Sequence, residues 1–293
     1  MSDQAILHAD NLTKVYRKLK KTVTALSELN LSLATGEVFG FLGPNGAGKS
    51  TTIKILTGQI RPSSGVAKVL GFNAGDVAGR RRMGYLPENP SFYDYLSGRE
   101  YLRFIARNFD ISGVSAKKAV DEVLTMVDLG TAADRPMRTY SKGMVQRLGI
   151  AQTLVHDPDL YIFDEPMSGL DPMGRALVKE IIKDLKRRGK TVFFSTHITA
   201  DVEVVCDRLG VIVGGKLRAL DSVANILEGG IQGYSMQVVE KDGTVAELTI
   251  HKDQLQARME KFWQEGAIIE RIEPKRLDLE AFFLNVVATS SGE

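Results

Sequence analysis

The chain has 293 residues, 43% hydrophobic and 25% charged, a composition typical of globular proteins rather than disordered chains. Its formal net charge of +2 gives no reason to expect nucleic-acid binding. The single cysteine, Cys206, excludes an intrachain disulfide and a cysteine-cluster metal site, and it fits a reducing compartment. No stretch approaches the roughly 18 apolar residues that span a bilayer. We therefore expect a soluble chain whose role at a membrane, if any, comes through a partner.

The first predicted α/β unit begins with the apolar run 38–42, which is followed at once by a glycine-rich loop. Residues 50–58 then carry helical spacing. Strand, loop and helix in this order are typical of a parallel α/β sheet. The apolar runs 160–163 and 191–194 predict two more buried strands of that sheet, with a helix over 173–188 between them.

Two other regions have different patterns. Residues 91–129 have helical spacing and predict an insertion in the α/β core, part of a helical subdomain over about 91–140. From about residue 220 the pattern predicts a hairpin (235–239 and 245–250, turned at Asp242-Gly243), a helix over 252–265, and a final strand and helix. The predicted domains are therefore 1–220 and a small α+β domain over 221–293. Trp263 is expected to anchor the second domain, and 289–293 to be disordered.

A phosphate-binding motif follows the first predicted strand. The segment that matches G-x-x-x-x-G-K-[ST] is Gly43, Pro44, Asn45, Gly46, Ala47, Gly48, Lys49 and Ser50. Glycines let backbone N–H groups surround a phosphate, and the helix that follows adds the positive end of its dipole. Lys49 is expected to reach the β- and γ-phosphates, Ser50 to ligate magnesium, and Thr51 to contact phosphate. The motif thus predicts ATP and Mg²⁺ as ligands.

A pair of carboxylates follows the strand at 160–163. In an open α/β sheet the carboxyl ends of the strands face the ligand crevice, so Asp164 and Glu165 are expected near the phosphate loop. Asp164 would hold magnesium through water, and Glu165 would act as the general base that polarises the attacking water. The alternative is that Asp164-Glu165-Pro166 is an ordinary strand-ending turn.

Over roughly residues 5–220 the sequence resembles the ATP-binding cassette (ABC) family. The resemblance implies a P-loop NTPase core with a parallel sheet, a β-subdomain and a helical insertion, working as a dimer with two ATP molecules at its interface. Tyr16 matches the aromatic residue that stacks on adenine, and His197 the switch histidine at the γ-phosphate. Asp171, in the segment Ser168-Gly169-Leu170-Asp171, matches the loop that communicates across the dimer. Alternatively, Tyr16 is a packing aromatic and His197 a surface histidine.

Two segments depart from the family pattern. The usual signature is Leu-Ser-Gly-Gly-Gln, whereas this chain has Tyr140-Ser141-Lys142-Gly143-Met144. Ser141 and Gly143 are retained, and the resemblance implies that they hold the γ-phosphate bound by the opposite subunit, with Lys142 adding charge if it points inward. Glu88 stands where the family commonly has glutamine; it is either a metal and water contact or a solvated loop carboxylate.

A lone cassette requires a second ABC subunit, which is either an identical copy, giving a homodimer, or a paralogue. The family pairs this dimer with a separate transmembrane permease. The signature and the tail 274–283 resemble the branch that serves ABC-2 type exporters, which implies a peripheral location on the cytoplasmic face of the membrane. The tail alternatively forms a helix that packs Leu279, Phe282 and Phe283 on its own domain. Phe92, Tyr93 and Tyr95 are either permease contacts or part of the insertion's own core.

Two other readings of the sequence compete with a transporter subunit. One is a soluble non-transport ABC ATPase that acts on the ribosome or on DNA; such proteins carry two cassettes, long coiled coils or zinc insertions, which this chain lacks. The other is a P-loop small-molecule kinase, which needs an acceptor site and a lid in place of the signature. The sequence does not indicate the cargo, because in this family the membrane partner selects it.

Overall fold

The computed structural model describes residues 5–18, 21–228, 231–239, 243–276 and 278–290. The chain divides into two compact units, Met1–Leu220 and Asp221–Glu293, called unit 1 and unit 2 below. Within the described residues, no helix is both long enough and apolar enough to cross a membrane.

Unit 1 alternates strands and helices. Its strands are β1 (Leu7–Lys18), β2 (Lys21–Leu33), β3 (Val38–Leu42), β4 (Ser64–Val69), β5 (Phe72–Asn73), β6 (Met83–Leu86), β7 (Leu160–Asp164), β8 (Thr191–Thr196), β9 (Arg208–Val213) and β10 (Lys216–Ser222), whose last two residues are counted with unit 2. Its helices are α1 (Lys49–Leu56), α2 (Val77–Arg81), α3 (Gly98–Asn108), α4 (Gly113–Met126), α5 (Lys142–Leu154), α6 (Pro172–Arg187) and α7 (Thr199–Val205).

The central sheet of unit 1 has the strand order β10-β9-β3-β8-β7-β6. Pairing is parallel between β9 and β3, β3 and β8, β8 and β7, and β7 and β6. Every residue of β3, β7 and β8 is buried, as a sheet covered on both faces requires. Phe193 of β8 packs against Phe39 and Phe41 of β3, with ring centroids 5.8 and 5.4 Å apart. The predicted parallel α/β sheet is confirmed.

A second, outer sheet has the order β2-β1-β4-β5, and its neighbours pair antiparallel. Its inward residues, such as Leu12 and Leu26, belong to the same apolar cluster as Phe41 of β3 and Ile53 of α1. The phosphate loop therefore lies next to a core shared by both sheets.

Helices α3, α4 and α5 lie between β6 and β7 in the chain, and α3 and α4 fall within the range predicted to be helical. Leu102 and Ala106 of α3 and Val120 and Leu124 of α4 are buried. Helix α3 begins with a capping box, in which Ser97 and Glu100 each accept a hydrogen bond from the other's backbone N–H.

Unit 2 contains α8 (Val223–Glu228), β11 (Ile231–Val239), β12 (Val245–His251), α9 (Leu255–Glu265), β13 (Ile268–Arg276) and α10 (Leu279–Ser290). The strands form an antiparallel sheet in the order β12-β11-β13. Met236, Val238 and Ile250 form its buried core, against which Leu255 and Phe262 pack.

Two expectations for unit 2 need correction, and some of the residues concerned lie outside the described ranges. Trp263 does not anchor a core, because its side chain is 61% exposed on α9. Thr289 and Ser290, expected to be disordered, belong to α10, where the Thr289 hydroxyl donates to the Asn285 carbonyl at 2.9 Å. Asp242 of the predicted hairpin turn and residues 291–293 lie outside the described residues.

Candidate active site

The phosphate loop, residues 43–48, connects the buried end of β3 to the start of α1. Gly46 and Gly48 have φ values of 79° and 114°, which side-chain-bearing residues rarely adopt. A Cβ on Gly43 would lie 2.5 Å from the Ile212 backbone oxygen. Both backbone conformation and close packing therefore require glycine in this loop.

Lys49, the first residue of α1, is only 6% exposed. Its ammonium donates to the Gly43 and Pro44 carbonyls at 2.6 and 3.3 Å, and it lies 3.4 Å from Glu165 Oε1. A buried cation needs such partners, because desolvation of an unpaired charge is costly. The loop's own carbonyls and Glu165 thus hold the Lys49 charge at the start of α1.

The phosphate cavity is a space of about 320 Å³ in front of this loop. It is lined by Ala25, Pro44, Asn45, Gly46, Gly48, Lys49, Ser50, Thr51, Glu88 and Glu165. Most of the predicted phosphate-binding residues therefore line one cavity, together with the predicted general base. Glu88, which follows β6 in the chain, is exposed and lines the same cavity.

The two carboxylates at the end of β7 have different surroundings. Asp164 is 3% exposed and accepts a hydrogen bond from the Ser195 hydroxyl at 2.6 Å. Glu165 is 9% exposed and has a left-handed backbone, with φ of 50°. That conformation costs a non-glycine residue roughly 1–2 kcal/mol. It therefore persists only where neighbouring groups hold it.

His197 follows β8 and meets Glu165 directly. Its Nδ1 lies 3.2 and 3.1 Å from the two Glu165 carboxylate oxygens, and its side chain is half exposed. Glu165 therefore lies between Lys49 on one side and His197 on the other. The structure brings together all three residues that the sequence predicts to be catalytic.

The signature residues line a different cavity, of about 570 Å³, called the signature cavity below. Ser141 is the N-cap of α5 and accepts from the Met144 N–H at 3.2 Å. Asp171 is the N-cap of α6 and accepts from the Gly174 N–H at 2.8 Å. Together with Gly143, both line this cavity, and no residue that lines it also lines the phosphate cavity.

Two further side chains take positions that the sequence left open. Lys142 runs over Gly169, since a Cβ on Gly169 would lie 2.7 Å from Lys142 Cε. Tyr16 is on β1, 38% exposed, with the Lys14 ammonium 5.2 Å from its ring centroid. Tyr16 is not among the residues that line the phosphate cavity.

Sequence reasoning assigned no role to two buried polar residues of the site, Ser195 and Gln146. Ser195 Oγ accepts the Glu165 N–H at 3.0 Å, and Gln146 Nε2 donates to the Pro166 carbonyl at 3.1 Å. Ser195 could have been noticed as a hydroxyl that directly follows the apolar run 192–194 of β8. The sequence offers no comparable indication for Gln146, because the spacing of apolar residues in a helix does not show which of its polar side chains contacts a loop distant in sequence.

The donors that the sequence assigns to magnesium, Ser50, Asp164 and Glu88, are all oxygen donors, the type that this ion prefers. Nowhere in the described ranges do three or more His, Cys, Asp or Glu residues cluster as a metal cage. Magnesium is commonly held by one or two protein oxygens plus substrate phosphates and water. The residues present fit that mode of binding.

Comparison with known proteins places this site in a family. Residues 26–168 match the family model described as ABC transporter. A Synechocystis relative, an uncharacterized ABC transporter ATP-binding protein, is 46% identical over 79% of this chain and 66% of its own length. The Bacillus subtilis ABC transporter ATP-binding protein YhcH is 33% identical over 99% of this chain and 98% of its own. The chain belongs to the ABC transporter ATP-binding proteins.

Other relatives of this ABC subunit agree with that assignment. The linearmycin resistance ATP-binding protein LnrL of Bacillus subtilis is 34% identical over 85% of this chain and 84% of its own. A solved ATP-binding subunit of an ABC transporter superposes with a TM-score of 0.69 at 30% identity, covering 76% of this chain and 92% of its own. A dimeric cassette described as bound to ADP and Pi shares the fold at 24% identity, with a TM-score of 0.69, over 74% of this chain and 98% of its own. The fold is that of the ABC ATPases, and the chain is an ATPase subunit that binds ATP.

Proposed function

We propose that this ABC subunit powers a separate membrane permease by hydrolysing ATP at the phosphate cavity, with Glu165 as general base. The observation that carries the proposal is the convergence of Lys49, Glu165 and His197, with contacts of 3.1–3.4 Å between them, beside the phosphate loop. A general base must lie within hydrogen-bond reach of the water it activates, and Glu165 lines the cavity that would hold that water.

The residues of the phosphate cavity have different roles in the proposed phosphoryl transfer. The loop N–H groups and the N-terminus of α1 hold the phosphates, while Lys49 neutralises the charge that develops on the γ-phosphate. Glu165 accepts a proton from the attacking water, and His197 orients the Glu165 carboxylate and faces the γ-phosphate. Ser50, Asp164 and Glu88 would hold Mg²⁺, which when bound would supply positive charge to offset the charge of the phosphates.

We further propose that two subunits close face to face around two ATP molecules. The support is that Ser141 and Gly143 line a cavity separate from the phosphate cavity, so a second subunit is needed to bring a signature to each nucleotide. Ser141 caps α5, whose N-terminal N–H groups favour an anion such as the γ-phosphate. Tyr16 would stack on adenine, and Asp171 would contact the partner subunit.

The helical insertion would bind the permease. Tyr93 and Tyr95 are 61% and 69% exposed, with ring centroids 6.0 Å apart, whereas Phe92 packs edge-on against Tyr101 at 4.9 Å. The first two are therefore free for a partner, and Phe92 belongs to the insertion itself. A subunit bound in this way is peripheral, at the cytoplasmic face of the membrane.

For the direction of transport we propose export of the ABC-2 type. The signature Tyr140–Met144 and the tail support this, as does similarity to LnrL, whose name records resistance to linearmycin. In the tail, Leu279 is fully buried and Phe282 and Phe283 are half-buried on α10.

Glu165→Gln tests the proposal because it removes the base but keeps the shape of the side chain. We expect kcat to fall by about 10²–10⁴-fold, with ATP binding retained and an ATP-dependent dimer on sizing chromatography. Lys49→Ala is the matched control, expected to lose ATP binding altogether. Wild-type turnover in Glu165→Gln would remove Glu165 from its role.

The same variant identifies the partner. Tagged Glu165→Gln protein, purified with ATP from detergent-solubilised membranes, should retain a multi-span permease that Lys49→Ala does not retain. Ribosomes or nucleic acid in its place would instead identify a non-transport ATPase.

A further inference from the structure

The backbone of Glu165 is held in its left-handed conformation by side chains from two other elements. Glu165 and its neighbours are buried, so each backbone polar group needs a partner within the protein. The Glu165 N–H and the Glu165 carbonyl each have such a partner. The carbonyl accepts from the Ser168 N–H at 3.0 Å, which closes the turn after β7.

Ser195 of β8 holds the amino side. Its side chain is fully buried, and its hydroxyl carries a single hydrogen. That hydrogen points to Asp164 Oδ1 at 2.6 Å, which leaves an oxygen lone pair to accept the Glu165 N–H at 3.0 Å. One hydroxyl therefore fixes the orientation of the Asp164 carboxylate and the position of the next peptide.

Gln146 of α5 holds the carboxyl side. It is 4% exposed, and its amide nitrogen donates to the Pro166 and Glu165 carbonyls at 3.1 and 3.4 Å. Helix α5 is the helix that Ser141 caps, so Gln146 connects the signature helix to the backbone of the predicted base. Neither Gln146 nor Ser195 lines the phosphate cavity.

We propose that Gln146 and Ser195 are positioning residues for ATP hydrolysis, which hold the Glu165 peptide so that its carboxylate meets Lys49 and His197. This inference rests on the proposed role of Glu165 as base. Without either contact the peptide is free to relax toward commoner backbone conformations, and the carboxylate moves. A displacement of about 1 Å at a reacting group can cost on the order of 10²-fold in rate.

Gln146→Met and Ser195→Ala test the proposal in the full chain, since each removes the contact with little change in volume. We expect kcat to fall by about 10–100-fold, with the KM and Kd for ATP and the ATP-dependent dimer unchanged. In a Glu165→Gln background neither substitution should lower the residual rate further, because both act through Glu165. Gln146→Met is the decisive variant, since Ser195 also contacts Asp164 and its loss has a second effect.

Matched controls remove hydrogen bonds from the same elements elsewhere. Gln152→Met on α5 loses the bond that Gln152 accepts from the Tyr101 hydroxyl at 2.6 Å, and Thr191→Val at the other end of β8 loses the one accepted from the Gly36 N–H at 2.9 Å. Both controls should keep wild-type kcat. If kcat fell in the control variants as much as in the test variants, the effect would be assigned to a general loss of packing.

Other outcomes separate this inference from the proposed function. Normal turnover in Gln146→Met, alongside an inactive Glu165→Gln, overturns the positioning role and leaves the base in place. An active Glu165→Gln removes the proposed function and this inference with it. If Ser195→Ala does not fold, Gln146→Met alone decides, and a rise in its Kd for ATP would also count against a pure positioning role.

Discussion

At the scale of single residues, His156 shows how burial changes a titration. Its ring stacks on Phe109 with centroids 3.7 Å apart, and its Nε2 lies 3.3 Å from the Met83 carbonyl. Burial lowers the pKa of His156 because it disfavours the charged imidazolium. The unfolded chain therefore takes up this proton at a higher pH than the folded chain does.

The free energy of unfolding should accordingly decrease as the pH is lowered. The neutral His156 contributes no penalty well above its unfolded pKa of about 6.5, and stability is lost as pH falls through that value towards the lowered folded pKa. His156→Gln should reduce the loss of unfolding free energy between pH 7 and pH 5, measured by urea denaturation. Substitution of the exposed His8 is the control, and an equal effect of both would exclude His156 as the source.

Residue roles were predictable from the sequence only where a motif fixes them. The glycines, Lys49 and Glu165 belong to short motifs whose chemistry follows from local spacing. The Ser195 and Gln146 contacts join positions 30 and 19 residues from Glu165, and only the folded sheet brings them together. The signature departs from the family pattern at Lys142, and its position over Gly169 required the structure.

At the scale of elements, helix α3 depends on its N-terminal cap. Ser97 Oγ accepts from the Glu100 N–H at 3.2 Å, and Glu100 Oε2 accepts from the Ser97 N–H at 2.8 Å. Ser97→Ala should therefore lower the free energy of unfolding by about 1 kcal/mol. Ser112→Ala, at the N-cap of α4, is the control because that serine makes no side-chain cap bond. Equal losses, measured by denaturant unfolding, would contradict the assigned cap.

Elements with a regular period were also the predictable ones. The continuous apolar runs of β3, β7 and β8 indicated buried parallel strands, and α6 showed clear helical spacing. Strand β1 lacks a clean alternation, because its pairing with β2 shifts register between Ala9 and Leu12, between Leu12 and Lys14 and between Lys14 and Val15. Its boundaries therefore could not be derived from a period of two.

At the scale of the whole molecule, the division into units 1 and 2 has a thermal consequence. A ligand stabilises only the part that binds it, by about 2.7 kcal/mol at a hundredfold excess over Kd. ATP with Mg²⁺ should raise the midpoint of one calorimetric transition, that of unit 1, and leave the transition of unit 2 in place. Lys49→Ala should abolish this shift, and a single transition that moves as a whole would show that the two units unfold together.

The order of strands in the central sheet places β8 next to both strands that lead into the candidate active site. Strand β8 lies between β3, which leads into the phosphate loop, and β7, which ends in the carboxylates. Ser195 lies within β8, two residues after Phe193 and therefore on the same face of the strand, and His197 follows directly after the strand ends at Thr196. The apolar run of β8 would still be buried after insertion or deletion of one residue, since both faces of the sheet are covered. Length changes in β8 should therefore yield folded but inactive proteins, and this strand should tolerate exchange of its apolar residues far better than a change in their number.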